Sequence, residues 1–180
     1  MKPLPLKFQT HQFIEIGHKR AEVIWQINQA SGREDLRPLG YFADLLREPT
    51  VQAVYARDHS ANYGYIITEQ AGSSLFILQL AVLEGFTRRS VATQLLRRVA
   101  EPGKKLIAWV PETATAALCF FRDRGLRYDD RDPAHFFDPV TEKYTPGLKL
   151  TTHPRRKPPK GPLTVSITNR ITDFCTDDTD

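Results

Sequence analysis

Between Ala21 and Gly125 the apolar residues change period repeatedly, and each change marks an element. Ala21–Ala30 sets Val23, Ile24 and Ile27 at helical spacing and stops near Gly32. Leu39–Arg47 puts Phe42, Leu45 and Leu46 on one face and ends before Pro49, which predicts a second short helix. Val51–Ala56 and Tyr63–Thr68 are apolar runs joined by the polar Asp58–Asn62, the pattern of a hairpin. A turn at Gln70–Ser74 leads into Leu75–Val82, a run almost wholly apolar and too short to span a bilayer, which reads as a buried strand rather than an amphipathic one. Three antiparallel strands therefore precede Gly85–Ala92, after which Leu95, Leu96 and Val99 return to helical spacing. Pro102-Gly103 stops that helix, and Lys105–Val110 resumes as a strand. Thr113 is placed to cap a helix carrying Ala116, Ala117, Phe120 and Phe121, which Gly125 closes.

From Leu126 the pattern loosens. Ala134–Phe137 and Leu148–Leu150 are two short strand candidates flanking the turn-rich Asp138–Gly147. Composition then shifts: His153–Pro162 mixes prolines with like charges and reads as an extended, solvated tail, and the acidic end Asp173–Asp180 reads as disordered. The expected organisation is one α/β domain over residues 5–152, with a basic and then acidic tail over 153–180.

Composition narrows the partners. With 180 residues, 41% of them hydrophobic, the chain can bury one sizeable core. Cys119 and Cys175 are too few for a disulfide framework or a cysteine-rich zinc site, which fits a reducing compartment and no metal. The proline-broken start Met1–Lys7 lacks the apolar run of a signal peptide, and no segment is long and apolar enough for a membrane span, so the expected location is the cytoplasm. A formal charge of +4 suits an anionic partner but equally describes a mildly basic surface. Nucleic acid is disfavoured, because the basic run Pro154–Lys160 carries no interleaved aromatics.

The chemistry concentrates between Leu75 and Gly125. A strand that runs into a turn of small residues and opens a helix aims backbone N–H groups and the positive helix end at one point, which attracts phosphate. Arg88 and Arg89 at the mouth add charge-assisted donors suited to a pyrophosphate. Alone they would read as a solvated basic turn; their place between strand and helix reverses that.

Three motifs in this order resemble the GNAT superfamily of acetyl-CoA-dependent N-acetyltransferases, over roughly residues 20 to 150. Leu78-Gln79-Leu80-Ala81-Val82 is similar to that family's strand before the pyrophosphate loop, and Arg88-Arg89-Ser90-Val91-Ala92 to its Arg-rich turn with Gly-x-Gly or Gly-x-Ala. Val110–Thr113 followed by Ala116–Leu126 is similar to its Asn-x-x-Ala-x-x-x-(Tyr or Phe)-x-x-x-Gly-Phe helix. Within the superfamily the group that acetylates the N-terminal residue of ribosomal proteins looks nearest. The resemblance implies a mixed, mostly antiparallel splayed sheet with flanking helices. It implies acetyl-CoA as co-substrate and an amine acceptor such as a protein N-terminus. It also implies that Leu80, Ala81 and Val82 offer backbone to the pantetheine arm, with Arg88, Arg89, Ser90, Val91, Ala92 and Thr93 at the pyrophosphate.

The chain also departs from the pattern. Ser90 and Ala92 replace the loop glycines; Ser90 fits a normal helix start and offers a hydroxyl. Counting back from Gly125, the family's base and acid positions hold Trp109 and Phe121, neither of which transfers protons, and its asparagine falls on Ala114. Glu112 and Tyr128 are the replacement candidates, with His135 beside them; Glu112 serves equally as a carboxylate on the helix dipole. Gln79 reads as a polar residue bordering the cleft. Two functions follow: an acetyltransferase that works by proximity with water taking the proton, or a non-catalytic GNAT-fold module that binds acyl-CoA or a protein.

Overall fold

The computed structural model describes residues 12–31, 36–59, 61–84, 86, 90–138 and 141–153. Along the chain run β1 (Gln12–Ile16), a 3₁₀ turn (His18–Arg20), α1 (Ala21–Ala30), α2 (Leu39–Leu45), β2 (Val51–Arg57), β3 (Asn62–Ala71) and β4 (Ser74–Val82). They are followed by α3 (Val91–Val99), β5 (Lys105–Pro111), α4 (Thr115–Asp123), β6 (Arg127–Asp138) and β7 (Lys143–Thr151). The strands hydrogen-bond in the order β1-β2-β3-β4-β5-β7-β6. The described chain divides into two compact units, one of residues up to Glu69 with Gln79–Glu101, the other of Gln70–Leu78 with Pro102 onward, so β4 passes from the second into the first.

In the first unit the strand period and the helix period meet on one core. Ala53 and Tyr55 of β2, Tyr65 and Ile67 of β3 and Ala81 of β4 join Ala21, Ile24 and Ile27 of α1 and Phe42 of α2. The Phe42 ring meets Tyr65 edge-on, centroids 6.3 Å apart. Ile24 and Phe42 are wholly buried, so cutting either to alanine costs about 2–5 kcal/mol. β1, which the sequence pattern does not announce, pairs antiparallel with β2 from Gln12↔Arg57 to Ile16↔Ala53.

In the second unit β4 pairs parallel with β5 from Ser74↔Lys105 to Ile77↔Ala108, the one parallel pairing among the described ladders. β5 and β7 run antiparallel from Ile107↔Thr151 to Pro111↔Gly147. The two short strands expected after Leu126 are instead a long hairpin, β6 against β7, whose register slips between Tyr128 and Asp130 and again between Asp132 and Phe136. α4 begins at Thr115 with Ala114 at its N-cap and no side-chain cap, so Thr113 does not cap it. Gly125, at φ +87, ends it as expected: Leu126 N donates to Phe121 O at 3.1 Å and Gly125 N to Arg122 O at 2.9 Å, the paired bonds of a left-handed glycine stop. Cys119 on α4 is disulfide-bonded, which a reading of the cysteines as reduced thiols does not anticipate.

Candidate active site

β4 is not buried on both faces. Leu75, Ile77, Gln79 and Ala81 are buried, while Phe76, Leu80 and Val82 are half-buried and Leu78 is exposed, so the apolar run hides a two-residue alternation. Gln79 is buried and accepts a 2.8 Å hydrogen bond from the Tyr65 hydroxyl, which in turn accepts from Asn28 Nδ2 at 3.2 Å. This chain satisfies three buried polar groups and fixes β4 against α1.

β3 and β4 pass closely where β4 ends. A Cβ on Gly64 would lie 3.2 Å from the Ala81 carbonyl oxygen and 3.3 Å from Val91 Cγ1, so glycine lets β3 run under both β4 and the head of α3. Leu83 N donates to Tyr63 O at 2.8 Å, and Phe86 stacks on Tyr63 with centroids 4.3 Å apart and planes 7° from parallel. Leu83 and Phe86, just after β4, are thereby both tied to Tyr63.

Ser90 is not a normal helix start. Its φ of 57° and ψ of 14° are left-handed, the conformation that glycine takes without strain. The first α-helical hydrogen bond runs from Gln94 N to Ser90 O, 3.0 Å, so the amides of Val91 and Ala92 precede the ladder at the positive end of the dipole. The Ser90 hydroxyl accepts from Gln94 Nε2 at 3.0 Å. Thr93 lies in the first turn; Arg88 and Arg89 lie outside the described residues.

In the second unit Glu112 follows β5, and its Oε2 takes both Arg131 donors, Nε at 3.2 Å and Nη2 at 2.9 Å. The carboxylate is thus paired with Arg131 through Oε2 rather than left to the α4 dipole. Tyr128, on β6, has its phenol held above the ordinary 10.0, by burial first and then by the charge of Asp130, with Arg131 pulling the other way and Glu112 and Asp129 adding to the rise. It stays protonated through neutral pH and is chemically an acid. Asp129, the extra residue at the first register slip, is buried and paired with Lys149 Nζ at 3.1 Å.

This arrangement matches solved structures over most of its length. Ribosomal-protein-S18-alanine N-acetyltransferase from Escherichia coli superposes with a TM-score of 0.69 at 10% identity, covering 84% of this chain and 99% of that one. Arabidopsis thaliana NAA60 with a bisubstrate analogue gives 0.65 at 15% identity, covering 79% and 97%, and the same protein is also known with acetyl-CoA. A Desulfovibrio desulfuricans protein assigned to the GNAT family gives 0.64 at 12% identity, covering 79% and 98%. The chain has the GNAT fold. No family model and no curated protein matches the sequence itself.

Phe121 and Trp109, the two residues that the resemblance sets at the acid and base positions, have defined surroundings. Phe121 is buried, 6% exposed, with the Phe120 ring edge-on at 5.1 Å. Trp109 is half-buried and covered by the His135 imidazole, centroids 4.0 Å apart and planes 16° from parallel. Sequence reasoning named His135 but had no signal for this contact, because the register slip that creates it leaves no mark in apolar spacing. Among the described residues no cluster of His, Cys, Asp or Glu has the makings of a metal site, and no helix is long and apolar enough to cross a membrane.

Proposed function

We propose that this chain is an N-acetyltransferase that transfers the acetyl group of acetyl-CoA to an amine, with a protein N-terminus as the acceptor. The observation that carries the reading is the left-handed Ser90. Ser90 holds the left-handed conformation that glycine takes freely, at the head of α3, which supports reading this helix start as the pyrophosphate site of a GNAT loop. Leu80, Ala81 and Val82 would present backbone to the pantetheine arm. Ser90, Val91, Ala92 and Thr93 would face the pyrophosphate, with Arg88 and Arg89 assisting. Tyr128 is the proposed acid for the departing thiolate, as a phenol on β6 that holds its proton at neutral pH. Glu112 is the weaker of the two catalytic candidates because Arg131 already holds it.

The domain proposed for this activity spans residues 5–152, and the compartment is the cytoplasm; the Cys119 disulfide is the observation that speaks against that compartment, and fractionation with thiol labelling tests it. A second reading, a non-catalytic acyl-CoA or protein-binding module, is favoured by Trp109 and the buried Phe121 at the acid and base positions. Calorimetric titration with acetyl-CoA and CoA, followed by acetyl transfer to peptides spanning all N-terminal residues, separates the two. Binding with transfer supports the enzyme, binding without transfer the module. Equal acetyl-CoA affinity for wild type and Arg88→Ala/Arg89→Ala at low salt refutes the pyrophosphate assignment.

A further inference from the structure

The second register slip of the β6–β7 ladder builds something the motif comparison does not contain. Asp132 pairs with Gly147, and the next paired residue is Phe136 with Thr145, so Pro133, Ala134 and His135 form an arch out of the ladder. Pro133 suits this place because an arch needs no ladder N–H from it. Ala134 N donates to Asp132 Oδ1 at 2.9 Å, which closes the arch and fixes the carboxylate. The other oxygen, Oδ2, lies 3.4 Å from His135 Nδ1. The arch presses onto β7: a Cβ on Gly147 would sit 2.7 Å from His135 Cβ and 3.0 Å from its Cγ, so only glycine leaves room. Gly147 itself pairs with Pro111 of β5, and from above it the imidazole reaches across to lie flat on Trp109. Phe136 meets the ring edge-on at 4.7 Å.

The imidazole is therefore held on three sides: a carboxylate at Nδ1, an indole on one face and a phenyl group against it. A carboxylate at Nδ1 favours the tautomer with its proton there, which leaves the Nε2 lone pair for chemistry. Trp109 occupies the place where the resemblance puts a general base, and His135 covers Trp109. We infer that His135, oriented by Asp132, is the general base of the proposed acetyl transfer, supplied by the β6 arch in place of the side chain that β5 lacks. The inference rests on the acetyl-transfer reading. In the step, Nε2 takes a proton from the acceptor ammonium, and the freed amine lone pair forms the C–N bond to the thioester carbonyl carbon. As the tetrahedral adduct collapses, the C–S bond breaks with its electron pair going to sulfur. The remaining surplus amine proton ends on that thiolate, yielding CoA thiol, and His135 releases its proton to water.

His135→Phe is the discriminating variant, because it keeps an aromatic ring on Trp109 and removes the base. Assayed as the full chain with acetyl-CoA and the peptide panel, it should lose about 10²-fold or more in kcat while acetyl-CoA affinity stays unchanged. His135→Ala should lose as much, and added imidazole should restore its rate in proportion to the free-base concentration, which a purely structural stack would not allow. Asp132→Asn should lose less, and imidazole should not repair it. Turnover that survives His135→Phe overturns this assignment alone. A wild type that transfers acetyl to no peptide removes the acetyl-transfer reading and this base with it.

Discussion

At the residue scale, Ser90 is a position under measurable tension. A non-glycine residue in the left-handed region carries about 1–2 kcal/mol of strain. Glycine would relieve it but would give back about 0.5–1 kcal/mol through a looser unfolded chain. Ser90→Gly should therefore raise the urea midpoint slightly, by the equivalent of about 0.5 kcal/mol, and should tighten acetyl-CoA binding, since loss of Cβ lets the ligand approach the backbone. Unchanged affinity with raised stability would mean that the turn is not at the ligand. Tyr128 makes a different forecast. Its folded pKa lies above the unfolded value, so the stability it confers is intact below about pH 10 and is lost as pH rises through the folded pKa. Unfolding curves collected from pH 8 to 12 should show a smaller alkaline loss for Tyr128→Phe than for wild type. Glu112→Gln, which only loosens a part-buried ion pair, should change stability by about 1 kcal/mol or less and kcat by less than tenfold. A hundredfold drop in kcat would return Glu112 to the role of base.

At the scale of elements, the contrast between what the chain announces and what it conceals has physical causes. α1, α2, β2 to β5, α3 and α4 all carry apolar periodicity because each buries a face, and their places follow from it within a few residues. β1 is a five-residue edge strand with a single partner, too short to impose a pattern. β6 is concealed for another reason. Asp129-Asp130-Arg131-Asp132-Pro133 is polar, poor in strand formers and interrupted by proline, yet it is held extended because its slips give those residues somewhere to go: Asp129 to Lys149, Arg131 to Glu112, Asp132 to the arch. The same divide runs through the candidate site. The strand and helix motifs of the first unit were legible, whereas the Trp109–His135 contact depends on a slip that only the paired strand reveals. Gly147→Ala tests that slip directly. Overpacking of this kind costs about 1–3 kcal/mol, and the near-ultraviolet signal of Trp109 should change with it. An unperturbed spectrum and midpoint would show that the arch yields without effect.

At the scale of the whole chain, β4 belongs by its first half to one compact unit and by its second half to the other. Neither unit can release its share of that strand without fraying the other's, so one cooperative transition is expected. The sequence supplies the means to check it, because its two tryptophans, Trp25 on α1 and Trp109 on β5, fall one in each unit. Trp25→Phe and Trp109→Phe leave a single reporter each, and their urea midpoints, corrected for the substitutions, should coincide with the circular dichroism transition; separated midpoints would mean that the units unfold independently.

The flat contact between the Trp109 indole and the His135 imidazole has a further, optical consequence. A protonated imidazole against an indole drains its excited state, whereas a neutral one does so far less. In the Trp25→Phe chain, where Trp109 alone emits, brightness becomes a running record of whether His135 carries a proton. Stopped-flow mixing with acetyl-CoA and an acceptor peptide should then make the protein dim and recover once per burst of product, so that the proton's passage is seen as light without any label.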